Sequence, residues 1–272
     1  MTGPSAEVLD LFAVPGPATP LPGGQGRSVV AGDLVLSPDR DPAVQQWLCP
    51  MLARLAVTMD SRPHRRPLDL RIAVPVPARD GSWVVDGWAA SRYEPDTVTT
   101  RDLDVTLAAG RVLHAELASW VPVRPAGLDA RADRWAIAER VAFGEAEPPP
   151  EVATLVADLV ADLVADLAAD LAAGRAAPPS DLPSQLVHAD LAGNVLLDGT
   201  GAAVIVDVSP AWRPVRWAEA VCVLDAVAHG DAPRSVLTGW SSEVERQLLL
   251  RALVFRLVSD PEPDRYRALV GR

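Results

Sequence analysis

Apolar residues recur at helical spacing in several long stretches of the chain, a pattern typical of helices that bury one face. Ser5 and Asp41 stand where two of these stretches begin, and both residue types commonly cap helix N-termini. Pro42 suits a first helical turn, because its missing N–H would have no partner there in any case. Helices are therefore predicted at 5–14, 41–57, 99–120, 129–144, 151–174, 216–229 and 242–258.

Short apolar runs between turn residues predict strands in the N-terminal third of the chain. Gly32 and Asp33 form a hairpin signal before the run LVLS. Asp80 and Gly81 separate the runs DLRIAVPVPA and SWVVDGWAA, and each of these runs is predicted to be a strand.

Helical stretches replace strands after about residue 90, and this shift marks the predicted domain boundary. We expect an α+β fold of two lobes. Residues 1–90 would form a small, mainly antiparallel β lobe with a glycine-rich turn, and residues 91–272 a larger, mainly helical lobe.

A four-residue repeat occupies residues 154–171, TLVADLVADLVADLAADL. Four residues exceed one helical turn, so its leucines drift by about 40° per repeat. Burial of each leucine stabilises by about 1.5–3 kcal/mol, which exceeds the repulsion of about 0.2–0.5 kcal/mol between successive aspartates. The repeat therefore predicts a core-facing helix. If its leucine stripe were exposed, the protein could instead be a structural partner in a complex.

Composition limits the class of protein. The chain has 272 residues, 49% of them apolar, which is typical of a folded globular protein. No apolar run approaches the ~20 residues of a membrane helix, and the N-terminus lacks the positive charge of a signal peptide, so we expect a cytoplasmic protein without membrane contact. Cys49 and Cys222 are the only cysteines and lie far apart, which favours two buried side chains over a disulfide framework.

Charge narrows the choice of partners. The formal net charge of −11 argues against binding to nucleic acid and suits a cationic small molecule. All 25 basic side chains are arginine, since the sequence contains no lysine. Any function that requires a lysine must therefore be carried out by another group.

Three polar residues interrupt the apolar segment QLVHADLAGNVLL at 185–197: His188, Asp190 and Asn194. A later predicted strand in AAVIVDVSP ends at Asp207. Each residue by itself is ordinary for a surface turn or strand end. Together they supply a carboxylate for an acceptor hydroxyl and an amide and a carboxylate for magnesium, which phosphoryl transfer requires.

A glycine-rich turn, LPGGQG, provides a place where main-chain amides could approach phosphates. Its glycines are Gly23, Gly24 and Gly26. A zinc site built on His188 and Asp190 is the alternative for the later segment, but no further ligand cluster in the sequence supports it.

With these motifs the sequence resembles the aminoglycoside phosphotransferase and choline kinase-like family, which has a protein-kinase-like fold. That family carries a loop such as His-Gly-Asp-x-x-x-x-Asn followed by a strand that ends in Asp, and VHADLAGN with VIVDVSP is similar to this pair. LPGGQG, WVVDGWAA, HADLAGNVL and WRPVRWAEAV together resemble an actinobacterial branch of the fold. The resemblance covers about residues 20 to 230.

The resemblance implies ATP and Mg²⁺ as cofactors. Asp190 would be the base, Asn194 and Asp207 the metal ligands, and His188 a support for the loop. Gly23, Gly24 and Gly26 would cover the phosphates. The adenine would lie near DGWAAS, with Trp88 and Ala90 at the connector between the lobes.

Three departures from the family pattern stand out. Ser37 occupies the place of the phosphate-holding lysine on the third strand, LVLS. The acidic partner of that lysine falls near Gln45 and Gln46. The two losses are expected to occur together, because a buried carboxylate that kept no cation beside it would be an unpaired charge. The loop from Asp190 to Asn194 is also one residue shorter than the family loop.

An arginine is the expected substitute for the lysine. Arg27 follows the glycines and Arg71 lies on a predicted strand, and either guanidinium could reach a phosphate oxygen. Arg213, close after the metal-site aspartate, is an alternative anion contact on the substrate side.

The sequence thus predicts an ATP- and Mg²⁺-dependent phosphotransferase that acts on a hydroxyl of a small molecule. The competing hypothesis is a pseudokinase, a nucleotide-binding or regulatory module without turnover. Ser37 and the shortened loop favour the pseudokinase, and the set of Asp190, Asn194 and Asp207 favours the enzyme.

Overall fold

A computed structural model of the chain describes residues 3–14, 16–21, 26–150, 153–154, 157, 182–260, 265–266 and 269. The chain forms two units. The first comprises Met1–Thr100, Pro125–Arg131 and Gly193–Asp207, and the second comprises Arg101–Arg124, Ala132–Ala192 and Val208–Arg272. The boundary predicted near residue 90 falls inside a strand, Ala89–Arg92. The first segment of the first unit therefore continues past it and ends at Thr100.

Each described α-helix overlaps a predicted one, but the helix predicted at 99–120 begins only at Leu103, since Val98–Thr99 forms a strand, and the helix predicted at 129–144 spans only Arg134–Ala142. The Ser5 side chain accepts a hydrogen bond from Val8 N, and the Asp41 side chain accepts one from Ala43 N, so both predicted caps are confirmed. Most of the predicted helix at 151–174, including the leucines of its repeat, lies outside the described residues. The described α-helices are α1 Ala6–Leu11, α2 Pro42–Asp60, α3 Leu103–Trp120, α4 Arg134–Ala142, α5 Val215–Ala228 and α6 Glu243–Ser259.

The first unit contains a five-stranded antiparallel sheet with the strand order β1-β2-β3-β6-β5. Ala31 pairs with Leu34, so Gly32 and Asp33 form the predicted two-residue turn, and Gly32 has a φ of +59°. Its strands are β1 Thr19–Pro20, β2 Val29–Ala31, β3 Leu34–Ser37, β5 Pro75–Val76 and β6 Ala89–Arg92.

The predicted strand at 82–90 is largely wrong. Val85 and Trp88 exchange main-chain hydrogen bonds of 2.9 and 2.8 Å around Asp86 and Gly87. Both central residues have positive φ, +47° and +75°, which is the preference of an Asp-Gly pair in a two-residue turn. The turn takes up half of the apolar run, so the strand begins only at Ala89.

A second, four-stranded sheet also belongs to the first unit and has the order β4-β10-β9-β7. The run DLRIAVPVPA does not form one strand, because β4 pairs in parallel with β10 and β5 pairs with β6 in the other sheet. The strands of this second sheet are β4 Arg71–Ile72, β7 Val98–Thr99, β9 Val195–Leu197 and β10 Ala203–Ile205.

The second unit contains four of the helices, α3 to α6, and a two-stranded antiparallel ribbon. The ribbon pairs β8, Ser184–His188, with β11, Pro210–Pro214. Trp217 lies at the centre of the core, with ring centroids 5.4 Å from Phe143 and 5.3 Å from Phe255 in edge-on packing. Separate helical and mainly antiparallel segments make this the α+β fold that the sequence predicts. None of the described helices combines the length and the apolar character of a membrane span.

Candidate functional site

Asn194 and Asp207 leave the same end of the β9–β10 hairpin. Val195 pairs with Ile205 in the sheet, and Val206 N donates a hydrogen bond of 3.0 Å to Asn194 O. Asp207 has a φ of +48°, the left-handed region in which Asp is among the more tolerated residues. The hairpin therefore brings two of the predicted site residues together, although 12 residues separate them in the chain.

An ion pair with Arg40 holds the Asp207 carboxylate. Arg40 Nη1 lies 2.7 Å from Asp207 Oδ1, and the Asp207 side chain is 45% exposed whereas the Arg40 side chain is 23% exposed. Arg40 lies between β3 and α2, where its main-chain N–H donates to Gly87 O at 2.9 Å. Burial by itself lowers the pKa of Arg40, but the neighbouring Asp207 more than offsets this, so its pKa is raised.

The oxygen atoms of Asn194 and Asp207 fit magnesium better than zinc. Magnesium in nucleotide sites commonly takes one or two protein carboxylates and completes its shell with phosphates and water. Among the described residues no group of three or more His, Cys, Asp or Glu could hold a metal ion by itself. This donor set suits an ion shared with phosphate oxygens, and the zinc alternative at His188 and Asp190 gains no support from this part of the chain.

The glycine turn connects β1 to β2, with Leu21 N donating to Ser28 O at 2.9 Å across its base. Gly23 and Gly24 lie outside the described residues. Gly26 is described and has a φ of +67°, a conformation that favours glycine.

Ser37 ends β3 and shares a hydrogen bond of 3.0 Å between its Oγ and the Ser28 Oγ. Two hydroxyls thus face each other where the resemblance places a lysine.

Trp88 and Ala90 face the opposite side of the sheet from Ser37. Ala90 pairs with Leu36, the neighbour of Ser37, and successive side chains of a strand alternate between its two faces. Trp88 and Ala90 are buried in a cluster with Val8 and Phe12 around α1. Trp88 directly precedes β6 and Ala90 lies within it, both in the first unit, and their place beside the adenine stays a prediction. A ligand on the Ser37 face would not touch these two side chains.

Two histidines hold the loop that carries Asp190 within the second unit. The His188 Nδ1 accepts main-chain hydrogen bonds from Asp190 N at 3.1 Å and Ser209 N at 3.4 Å. His114 Nε2, on α3, accepts from His188 N at 3.0 Å. Burial, with a smaller contribution from His188, lowers the pKa of His114 to about 3, so its ring is neutral near pH 7. These contacts give His188 a supporting position.

A buried arginine binds the Asp190 side chain. Arg256 Nη2, on α6, lies 2.6 Å from Asp190 Oδ1, and Arg256 Nε donates to Asp225 Oδ1 at 2.8 Å. The Tyr266 hydroxyl also donates to Asp225 at 2.8 Å. Burial lowers the pKa of Arg256, but the two carboxylates outweigh it and raise the pKa well above its usual value. Asp190, with a side chain 34% exposed, is therefore fixed in place through one of its oxygens.

The arginines singled out in the sequence have carboxylate partners elsewhere. Arg27 pairs with Asp39, and Arg71 contacts Glu94 at 3.0 Å and Asp198 at 3.4 Å. Arg213 is also engaged, since its buried guanidinium binds two glutamates, Glu139 and Glu145, at 2.7 Å each.

Arg40 and Arg256 contact predicted site residues, but neither was predicted from the sequence. The absence of lysine led to Arg27 and Arg71 instead, although Arg40 lies only three residues after Ser37 and that proximity could have found it. No local pattern pointed to Arg256, which stands in an ordinary apolar helix.

Structural comparison identifies the class of fold. A spectinomycin phosphotransferase, solved as an AMP-bound complex, matches with a TM-score of 0.53 and 13% identity over 98% of this chain and 89% of that chain. The chain has the fold of the aminoglycoside phosphotransferase-like proteins, so the protein-kinase-like fold predicted from the motifs is confirmed.

Two further solved structures match with lower scores. An aminoglycoside phosphotransferase from Alicyclobacillus acidocaldarius has a TM-score of 0.48 and 14% identity over 99% of this chain and 82% of that chain. A choline/ethanolamine kinase family protein from Mesorhizobium loti has a TM-score of 0.44 and 17% identity over 96% of each chain. No protein-family model and no curated protein sequence matches this chain.

Proposed function

We propose that the protein is an ATP- and Mg²⁺-dependent phosphotransferase that acts on a hydroxyl of a small molecule. The observation that carries this proposal is the end of the β9–β10 hairpin, where Asn194 and Asp207 are joined through the main chain of Val206. The fold is shared with a spectinomycin phosphotransferase, and an amide and a carboxylate presented together are the kind of oxygen ligands that magnesium takes beside phosphates.

Magnesium would be held by Asn194 and Asp207 and would neutralise charge on the phosphates. Phosphoryl transfer depends mainly on positioning and on such neutralisation, with little covalent chemistry for the protein. The glycine turn between β1 and β2, with Gly23, Gly24 and Gly26, is assigned to covering the phosphates with main-chain amides.

Asp190 is assigned to orienting the acceptor hydroxyl and accepting its proton. Arg256 fixes one carboxylate oxygen, and the hydrogen bond from Asp190 N to His188 fixes the main chain. A base held this way can keep its geometry toward a substrate, which is the property general-base catalysis needs most. The acidic chain, with a net charge of −11, favours a cationic acceptor.

A pseudokinase is the second candidate, and two observations favour it. Ser37, which bonds to Ser28, supplies no cation, and the ion pair with Arg40 already engages Asp207. A protein of this kind would bind nucleotide without transferring its phosphate.

Thermal unfolding with ATP, with Mg²⁺ and with both together tests the nucleotide site. A ligand at 100 times its Kd stabilises the folded state by about 2.7 kcal/mol, so a site for Mg²⁺–ATP should raise Tm by several degrees. Asp207→Asn should remove the extra shift caused by magnesium. Asp80→Asn, in an exposed turn, is the matched control and should retain it.

Product formation then separates the two candidates. Release of ADP in the presence of pooled cationic hydroxyl compounds, lost in Asp190→Asn while the ATP-dependent Tm shift persists, supports the enzyme. Nucleotide binding without ADP release in any pool supports the pseudokinase. If neither ATP nor Mg²⁺–ATP changes Tm, the enzyme and the nucleotide-binding form of the pseudokinase are both wrong.

A further inference from the structure

A nucleotide site without lysine needs another source of positive charge. Phosphate groups are bound in proteins by main-chain amides, metal ions and basic side chains, and all 25 basic side chains here are arginine. The question is which arginine of the first unit lies beside the predicted metal ligands.

Arg40 is the arginine that contacts one of them. Its Nη1 lies 2.7 Å from Asp207 Oδ1, and among the described residues Asp207 is the partner of this guanidinium. A guanidinium carries five N–H donors in a planar fork, so one ion pair can coexist with binding of a second anion. A carboxylate offers two oxygens, so Asp207 can likewise take a metal ion while Arg40 stays on Oδ1.

The position of Arg40 is fixed from several sides. Its main-chain N–H donates to Gly87 O at 2.9 Å. Asp41, the next residue, caps α2 by accepting from Ala43 N at 2.8 Å. Asp39, the preceding residue, has a φ of +57°, and Asp207 across the ion pair has a φ of +48°.

The contribution of the Arg40–Asp207 ion pair to folding stability is too small to explain why the two residues are placed together. Ion pairs with a half-exposed partner contribute about 0–1 kcal/mol to folding, and Asp207 is 45% exposed. The carboxylates that bind the two arginines named from the sequence are not predicted metal ligands, since Arg27 binds Asp39 and Arg71 binds Glu94 and Asp198.

We propose that Arg40 is the cation that binds the polyphosphate of the nucleotide, in place of the lysine that Ser37 does not provide. This inference rests on the proposed function, because it requires that the protein bind ATP. Arg40 stands beside Asp207, the residue assigned to magnesium, so its guanidinium would contribute positive charge to the phosphates that the metal would neutralise. No bond is made or broken at Arg40, which acts through charge and hydrogen bonding.

Calorimetric titration with adenosine, ADP and ATP, each with and without Mg²⁺, tests the assignment. Arg40→Gln should weaken binding of ADP and ATP by about 10- to 100-fold, the range expected for a charge-assisted hydrogen bond. Adenosine lacks phosphate, so its affinity should not change. Arg40→Lys keeps a charge in a different geometry and should recover part of the affinity. Arg92→Ala is the matched control, because it removes an exposed ion pair with Asp33 in the same unit.

The outcomes separate this inference from the proposed function. If wild-type protein binds ATP and Arg40→Gln binds it equally well, Arg40 is not the phosphate cation, although the nucleotide site stands. The same holds if adenosine and ATP weaken by equal factors, or if the loss appears in Arg27→Ala or Arg71→Ala instead. If wild-type protein binds no nucleotide, the proposed function fails and this inference fails with it. Melting of each ligand-free variant shows that the binding differences belong to folded protein.

Discussion

The two arginine–aspartate contacts at the proposed site differ sharply in their surroundings. In the first unit, Arg40 and Asp207 have side chains that are 23% and 45% exposed and form one ion pair. In the second unit, Arg256 is 7% exposed and binds both Asp190 and Asp225, the latter 3% exposed. The same pair of residue types therefore appears once near solvent and once inside the core.

This difference indicates which contact a ligand can reach. A buried charge that loses its counterion is left in a medium of low dielectric, which costs several kcal/mol. Arg256 is thus tied to Asp190 and Asp225 for as long as the protein is folded. The Arg40–Asp207 pair is partly open to solvent, so a ligand can reach the guanidinium while the ion pair stays formed. We infer that the second unit holds Asp190, the proposed base, rigidly, while the first unit leaves the Arg40 guanidinium accessible to a ligand.

The largest effect is expected from removing the buried cation. Arg256→Met leaves the Asp225 carboxylate buried without its counterion and should lower the free energy of unfolding by about 3–5 kcal/mol. Urea denaturation followed by circular dichroism measures this directly. Arg66→Met is the control, since that side chain is 83% exposed and its loss should change stability by less than about 0.5 kcal/mol. A loss below about 1 kcal/mol in Arg256→Met would contradict the rigid arrangement.

An intermediate effect on stability is expected from His114, which helps to hold the loop that carries Asp190 in the second unit. Its pKa is about 3 in the folded protein because of burial, against 6.5 ordinarily. Between these values the unfolded chain binds a proton that the folded protein does not, so acid lowers stability by up to about 1.4 kcal/mol per pH unit. The stability that the protein gains from a neutral, buried His114 is fully present above pH 6.5 and is lost progressively as the pH falls toward 3.

His114→Gln should remove that part of the pH dependence, because a glutamine amide does not titrate and its oxygen can still accept from His188 N. Unfolding free energies measured from pH 7 to pH 4 should fall less steeply in the variant than in the wild type. His64→Gln, at an exposed position, serves as the control. Equal slopes in His114→Gln and wild type would mean that the ring is not buried in its neutral form.

The smallest effect is expected from the exposed pair. Arg40→Gln should lower the free energy of unfolding by no more than about 1 kcal/mol without ligand. The measurement is the same urea titration as for Arg256→Met. A loss of about 3 kcal/mol or more would show that Arg40 is a structural residue like Arg256 and would remove the contrast on which its proposed role rests.

Local signals in the sequence predicted much of the fold. Ser5 and Asp41 begin helices as their capping preference suggests, and Gly32 with Asp33 makes the turn that a hairpin requires. These features depend on residues close together in the chain, where side-chain and backbone preferences act directly. The strand predicted at 82–90 failed for the same kind of reason, because the Asp86–Gly87 turn preference outweighed the apolar run.

Contacts between segments that are distant in the chain could not be predicted from local sequence patterns. Asn194 and Asp207 could be placed together because each adjoins a predicted strand end. Arg40 and Asp207 are 167 positions apart, and Arg256 could pair with any of several carboxylates until the helices were packed. The face of the sheet on which the Ala90 side chain lies depends on the exact register between β6 and β3. A shift of one residue in that register would move the side chain to the opposite face.

The β4-β10-β9-β7 sheet has a consequence for how the protein forms during translation. β4 and β7 emerge early, whereas their partners β9 and β10 are synthesised about a hundred residues later or more. Until then the early strands offer open edges to any passing chain, and closing so long a loop is slow. The sheet is therefore completed only when the hairpin bearing Asn194 and Asp207 has been synthesised.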